Sequence, residues 1–321
     1  MKRSLRVVLV GHVVDRLADS LAESQHEVVG LVQSGTRPSR RRASWPCRLT
    51  RGTWGILRPR PSGTALAAAR HGVPWFDYAS RSLDAAYERW LRQRAADVVL
   101  VFGMDWLLNA SLLSVPALGT LNLHPALLPR YRGPRPTQWA FYHMDLRPGV
   151  TIHFVDAGED RGDILHQRQF QIPAGTTWAT YFRDFVEPAC VELMLQALGD
   201  LADGTATRRP QPALSPTARA RAFPPEEYAR LIDWEGWPVA RVWHFLRGAP
   251  PWIRPVAQLR GAPVWLDWQV GAYSEGGSTL PPGLVARTRA GWRIGCRDGE
   301  IHLEARWHPA SLLLRLICSS R

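Results

Sequence analysis

Lysine is nearly absent from this chain. Of its 40 basic residues only Lys2 is a lysine, so arginine carries the formal charge of +12. A compositional bias toward arginine accounts for the choice of cation. The excess itself points to phosphate-bearing partners or to solubility. Cysteine is scarce too. Cys47, Cys190, Cys296 and Cys318 form no CxxC pair, which argues against a zinc ribbon and a redox motif and leaves reduced, small buried thiols. No apolar run approaches the ~20 residues of a membrane-spanning helix, so no membrane span is expected. The opening MKRSLRVVLVGHVVDRLADS reads as a first strand and helix, not a signal peptide, which makes cytoplasmic location the expectation. The first strand ends at Gly11 with no GxGxxG after it, so a dinucleotide is not supported. Asparagine occurs only twice, as Asn109 and Asn122.

What is present is a globular chain of 321 residues, 45% hydrophobic, long enough for one large domain or two ordinary ones. LRVVLVG, HEVVGLV, VPWFDY, ADVVLVFG and GTLNLHP are short branched apolar runs, with helix-like segments such as VDRLADSLAESQ and LDAAYERWLRQRA between several of them. Strands alternating with helices predict an α/β, Rossmann-like doubly wound, mostly parallel sheet. GVTIHFVDAG and GDILHQRQFQI add two strands, and TTWATYFRDFVEPACVELMLQALGDLADG predicts one long helix kinked at Pro188. A catalytic domain is expected over 1–204 and a Pro/Ser/Thr/Arg-rich linker over 205–222. Short strands with Gly-rich turns over 223–308 predict a smaller C-terminal β-barrel, with a tail over 309–321. Within the first domain, an insert over 35–70 carries nine arginines and no Asp or Glu, with Trp45 and Trp54 interleaved. It reads equally as a nucleic-acid or phosphate contact, an interfacial helix, or a solvated loop.

The chemistry concentrates in LNLHPALLPRYRGPRP, residues 121–136. Residues two apart in a strand share a face, so Asn122 and His124 project together before Pro125 ends the ladder. Asn122 offers an amide donor for a developing oxyanion, and His124 a base and acid near neutral pH. A carboxylate is needed to orient the imidazole, and the DAGEDRGD loop supplies candidates. Donor, base and carboxylate suit acyl transfer. No Ser or Cys sits in a nucleophile elbow, which points to direct attack by a bound nucleophile. A strand-end Asn-x-His is also a common satisfied structural pair. His124, His143 and His153 lack the spacing of a zinc site, so no metal is expected.

NLHPALLPRYRGPRPTQWA and GVTIHFVDAGEDRGDILHQ resemble the two signature blocks of the 10-formyltetrahydrofolate-dependent formyltransferases. LIDWEGWPVARVWHFLRGAPPWIRP resembles the start of that family's C-terminal barrel, with Ile232, Asp233, Trp234 and Arg247 at recognisable positions. The resemblance implies catalytic roles for Asn122, His124 and Asp160, with Asp163 structural. The co-substrate it implies is 10-formyltetrahydrofolate. Its pterin is expected against Met104, Trp106 and Leu107 on one side and Val155, Asp156, Ala157, Gly158 and Glu159 on the other. Tyr131, Arg132 and Arg135 border the acceptor side and are candidates for an anionic substrate.

The family divides by acceptor. Methionyl-tRNA formyltransferases usually read TIM-x-MD where this chain has TIHFVD, and they lack the Trp of TQWA. Trp139, His153 and Val155 resemble the branch acting on small-molecule amines, such as amino-sugar nucleotides or amino acids. A basic insertion after the second strand is shared with the tRNA enzymes, so tRNA stays a possible partner. Two other readings remain open: folate hydrolysis with water as acceptor, and an idle RNA-binding protein. The oligomeric state is not legible.

Overall fold

Apolar branched runs become strands and the segments between them become helices in the computed structural model, which describes residues 3–11, 14–35, 62–104, 106–263 and 266–307. In chain order the elements begin β1 (Arg6–Gly11), α1 (Asp15–Ala22), β2 (Glu27–Ser34), α2 (Gly63–His71), β3 (Trp75–Tyr78), α3 (Asp84–Arg94), β4 (Val98–Phe102), α4 (Ala110–Leu113) and β5 (Thr120–His124). They continue α5 (Pro136–Tyr142), β6 (Gly149–Phe154), β7 (Ile164–Gln169), α6 (Trp178–Tyr181), α7 (Glu187–Asp203), α8 (Val239–Arg247), β8 (Leu266–Glu275), β9 (Val285–Thr288), β10 (Gly291–Cys296) and β11 (Gly299–Trp307). Two compact units result. The first takes residues 1–133, 149–168 and 187–218, and the second takes 134–148, 169–186 and 219–321.

The first unit is built on a seven-stranded sheet of order β3-β2-β1-β4-β5-β6-β7. Its left half is parallel, β2 pairing with β3 and β1, β1 with β4, and β4 with β5. Helices cover both faces of such a sheet, so its central strands can be apolar throughout, and VVLVF of β4 is buried at every residue. Leu17, Ala18 and Leu21 form the buried stripe of α1. Burying each leucine stabilises by ~1.5–3 kcal/mol. Ser62 caps α2 by accepting the Ala65 N–H, and Gly72 ends it in the left-handed conformation. Gly11 has a different task from the phosphate cradle of a dinucleotide site. A Cβ there would lie 1.8 Å from the Phe102 carbonyl oxygen, so glycine permits the close approach of β1 to β4.

The expected insert divides. Residues 36–61 lie outside the described residues, while Gly63 to Arg70 belong to α2. The expected tail beyond 308 also lies outside them. The single long helix predicted around Pro188 is three pieces: α6, a π turn over Phe182–Val186, and α7. Pro188 has no N–H to continue the ladder from the preceding turn, so the helix widens before it and restarts with proline near its first position.

In the second unit, β8–β11 form a separate antiparallel sheet of order β8-β11-β10-β9. Its aromatic core includes Tyr228 and Phe245, stacked at 4.5 Å. Strand β8 is an edge, and three side chains cover its carbonyls. Arg254 donates to Leu266, Arg247 to Val270 and Trp243 to Gly271. Tied carbonyls give a second chain less edge to pair with. Among the described residues, no helix is long and apolar enough to cross a membrane.

Candidate active site

Strand β5 positions the first two groups. It lies between parallel β4 and antiparallel β6, with Asn122 opposite Val101 on one side and His153 on the other. His124 sits opposite Thr151. The Thr151 hydroxyl donates to the Ala126 carbonyl and accepts the Leu128 N–H, which fixes the turn that carries the chain out of the sheet. Strand β6 leads into the 155–163 loop, closed by the Phe154 N–H on the Asp163 carbonyl at 2.9 Å. Gly162 is needed there, because a Cβ would lie 1.9 Å from the Phe154 carbonyl oxygen. Asp160 adopts a left-handed φ of 52°, a conformation aspartate visits more readily than most residues.

Asn122, His124 and Asp160 come together. Asp160 Oδ2 lies 3.5 Å from His124 Nδ1, and Asp160 Oδ1 accepts from Asn122 Nδ2 at 3.4 Å. His124 Nε2 lies 3.0 Å from the Tyr131 carbonyl. A carbonyl only accepts, so Nε2 carries a hydrogen and Nδ1 is the nitrogen able to exchange a proton. Sequence reasoning did not assign a catalytic role to His153, which is buried beside the group. Its Nδ1 lies 2.8 Å from the Phe154 carbonyl, so Nδ1 is protonated, and neutral Nε2 accepts from Asn122 Nδ2 at 3.1 Å. One amide hydrogen of Asn122 is thus engaged closely. The other is held only by the long contact to Asp160.

The charges follow from this packing. Burial would raise the Asp160 carboxyl, but the His124 charge and the Gly133 N–H outweigh it and hold it well below the usual carboxylate range. Burial pushes the His124 imidazole down, against the pull of Asp160. Asp160 is therefore the ionised partner, facing a nitrogen that gains stabilisation when it takes a proton. Such an arrangement can accept a proton from a nucleophile and then hold the resulting imidazolium.

Other expected positions fall differently. Tyr131 is buried; its carbonyl meets His124, and its hydroxyl accepts from Arg130 at 3.0 Å. Arg132 is buried as well, and its guanidinium donates to Gln211 Oε1 and to the Pro212 and Ala213 carbonyls, so it does not stand open to an anionic substrate. Arg135 is exposed and donates to the Pro134 carbonyl at 3.3 Å. Met104 and Trp106 follow β4 and pack against the core, while Leu107 beside them is 53% exposed. Val155 leaves the sheet beside Thr120, at the entering end of β5, and Asp156 closes a turn on the Gly158 N–H at 2.9 Å. Ala157 is exposed, and Gly158 and Glu159 are half-buried. Asp163 contributes its carbonyl to the loop closure. Among the described residues, no group of His, Cys, Asp and Glu is arranged to hold a metal.

The chain is thus of the doubly wound α/β class, with an amide, an imidazole and a carboxylate gathered at the end of β5. Comparison with known proteins narrows the class. Residues 55–198 match the family described as formyl transferase. A methionyl-tRNA formyltransferase of Roseiflexus castenholzii is 31% identical over 307 residues, covering 94% of this chain and 90% of that protein. Glycinamide ribonucleotide transformylase 1 from Symbiobacterium toebii shares the fold with a TM-score of 0.50 at 22% identity, over 65% of this chain and 95% of its own. HypX from Aquifex aeolicus in complex with tetrahydrofolic acid has a TM-score of 0.59 at 17% identity, over 97% of this chain and 47% of its own. The chain belongs to the formyltransferase family.

Proposed function

We propose that this formyltransferase moves the formyl group of 10-formyltetrahydrofolate to the amine of a small molecule, an amino-sugar nucleotide or an amino-acid-like compound. The observation that carries the reaction type is the meeting of Asn122, His124 and Asp160 around one point, with Nδ1 of His124 facing an ionised carboxylate at 3.5 Å. As the amine attacks the formyl carbon, the carbonyl electron pair moves to oxygen, where the weakly held amide hydrogen of Asn122 is the available donor. His124 Nδ1 takes the proton lost by the amine, and Asp160 stabilises the imidazolium. Protonated His124 then stabilises the oxyanion and returns the proton to N10 as the carbon–N10 bond breaks. Preorganised donors of this kind typically contribute ~10²–10³ in rate each. Leu107, exposed at the loop after β4, and the 155–159 loop are the proposed surfaces for the pterin.

The acceptor class is supported by Trp139, His153 and Val155. Of these, His153 makes a direct contact with Asn122. A second reading, formylation of methionyl-tRNA, is favoured by the Roseiflexus relative, which spans both units, and by the charge of +12. One assay separates the readings. Release of tetrahydrofolate is followed without acceptor, with an amino-sugar nucleotide or free amino acids, and with methionyl-tRNA, across a salt series. Release that depends on a small amine supports the first. Release with tRNA alone, falling steeply with salt, replaces it with the second. Release without any amine makes water the acceptor.

A further inference from the structure

The segment after Gly204 reads in sequence as a linker, yet residues 205–218 belong to the first unit and are bonded along the site. Arg209 exchanges two main-chain hydrogen bonds with Ile164 at the start of β7. Two residues later, Gln211 Nε2 donates to the Asp160 carbonyl at 3.1 Å and to the Gly162 carbonyl at 2.7 Å. Its Oε1 accepts from Arg132 Nε at 3.2 Å and from Arg132 Nη2 at 2.8 Å. The orientation of this amide is fixed, since a guanidinium offers only donors and carbonyls only accept. Arg132 is 6% exposed and is itself held by the Pro212 and Ala213 carbonyls.

Three consecutive residues thereby grip three parts of the site. The Tyr131 carbonyl holds His124, the Arg132 guanidinium holds Gln211, and the Gly133 N–H holds Asp160 Oδ2 at 2.8 Å. Tyr131 is anchored in turn by its N–H on Thr217 Oγ1 at 2.7 Å. The left-handed backbone of Asp160 is unfavourable for a residue with a Cβ and persists only where its surroundings impose it. Gln211 supplies that restraint by bonding the carbonyl of Asp160 itself.

We propose that Gln211, oriented by Arg132, is a positioning residue that holds the Asp160 carboxylate against His124. The proposal rests on the formyl-transfer reading of the site. It goes beyond that reading by assigning a role in the reaction to the segment between α7 and α8.

The test is a double-mutant cycle with a histidine titration beside it. Gln211→Met keeps the side-chain length and removes all four hydrogen bonds. Gln211→Glu keeps the pairing with Arg132, loses the donated hydrogens, and serves if the first variant folds poorly. Each is made alone and with Asp160→Asn, and the His124 pKa is followed by NMR in wild type and variants. The expected result is a loss of ~10-fold or more in kcat for Gln211→Met with the folate KM nearly unchanged, the size expected when a catalytic group is misplaced by a fraction of an ångström. In the Asp160→Asn background the same change should cost less than ~2-fold, because coupled residues are not additive. The His124 pKa should fall in Gln211→Met, since the raising charge has moved away; Gln211→Glu adds a carboxylate of its own and is read by kcat alone. An equal loss in both backgrounds, or an unmoved His124 pKa in Gln211→Met, overturns the proposal. If wild type transfers no formyl group to any acceptor, the functional reading fails, and the titration still decides whether Gln211 positions Asp160.

Discussion

Asn122 donates an amide hydrogen to His153 Nε2 at 3.1 Å, across the antiparallel pairing of β5 with β6. The Phe154 carbonyl keeps His153 in the tautomer whose Nε2 accepts. Asn122 is thus oriented by an aromatic nitrogen with little freedom to turn. His153→Met, similar in size and unable to accept in this way, should lower kcat by ~10-fold, about the worth of one hydrogen bond to a reacting group. The dissociation constant for a folate analogue should stay within a few-fold. Wild-type turnover in this variant would show that Asn122 is held by other means.

The three central residues should separate by role. His124→Ala and Asp160→Asn should each reduce turnover by ~10² or more, the low end for general acid–base chemistry. Asn122→Ala should do likewise while leaving folate binding largely intact, because its donor acts mostly in the transition state. Asp163→Asn should change turnover by less than ~5-fold, since its carbonyl and not its carboxylate closes the loop. A stable protein in which Asp163 is essential and Asp160 dispensable would refute the assignment of the loop.

Asn122 and His124 were legible because a strand's period of two puts both on one face whatever the sheet around them. Asp160 was reached only through the resemblance of its loop to a signature block, as several carboxylates compete there. His153 was visible as a residue but not as a neighbour, because its contact depends on the register between β5 and β6, which neither strand encodes alone. Gln211 was lost for a stronger reason. Proline, serine and arginine mark irregular backbone equally well when it is free and when it is tied down. What ties residue 211 is bonded 79 residues earlier, at Arg132. The parallel half of the sheet was readable from buried apolar runs. The helix was expected to kink at Pro188; the disturbance is a π turn that lies before it, over Phe182–Val186.

Gly11→Ala should destabilise the protein by ~3 kcal/mol or more. The left-handed φ of 147° disfavours any Cβ, and this one would overlap the Phe102 carbonyl, which belongs to a buried strand and has nowhere to move. Gly199 in α7 is the opposite case. A Cβ added there would meet nothing within 4 Å, and Gly199→Ala should stabilise by ~0.5–1 kcal/mol through the lower entropy of the unfolded chain. Urea unfolding of both variants checks the pair. A neutral Gly11→Ala would mean that β1 and β4 do not approach as closely as described.

His244 should make stability depend on mildly acid pH. It is fully buried in α8, against the Phe141 ring, and its Nδ1 accepts the Gly175 N–H at 2.9 Å. Nε2 therefore carries the hydrogen of the neutral ring and has no hydrogen-bond partner among the described residues. Burial pushes the pKa down from 6.5 to about 4. The folded pKa is the lower one, so between these values the unfolded chain binds the extra proton. Stability from this group is then complete above pH 6.5 and is lost as pH falls through about 4, where protonation must also break the bond to Gly175. The full difference corresponds to roughly 3 kcal/mol. His244→Gln retains an acceptor for the Gly175 N–H and cannot titrate. Unfolding free energies of wild type and His244→Gln, measured from pH 7.5 to 4, should converge toward the acid end or cross, with wild type losing the additional ~3 kcal/mol. Parallel curves would show that His244 is not held neutral in the folded protein.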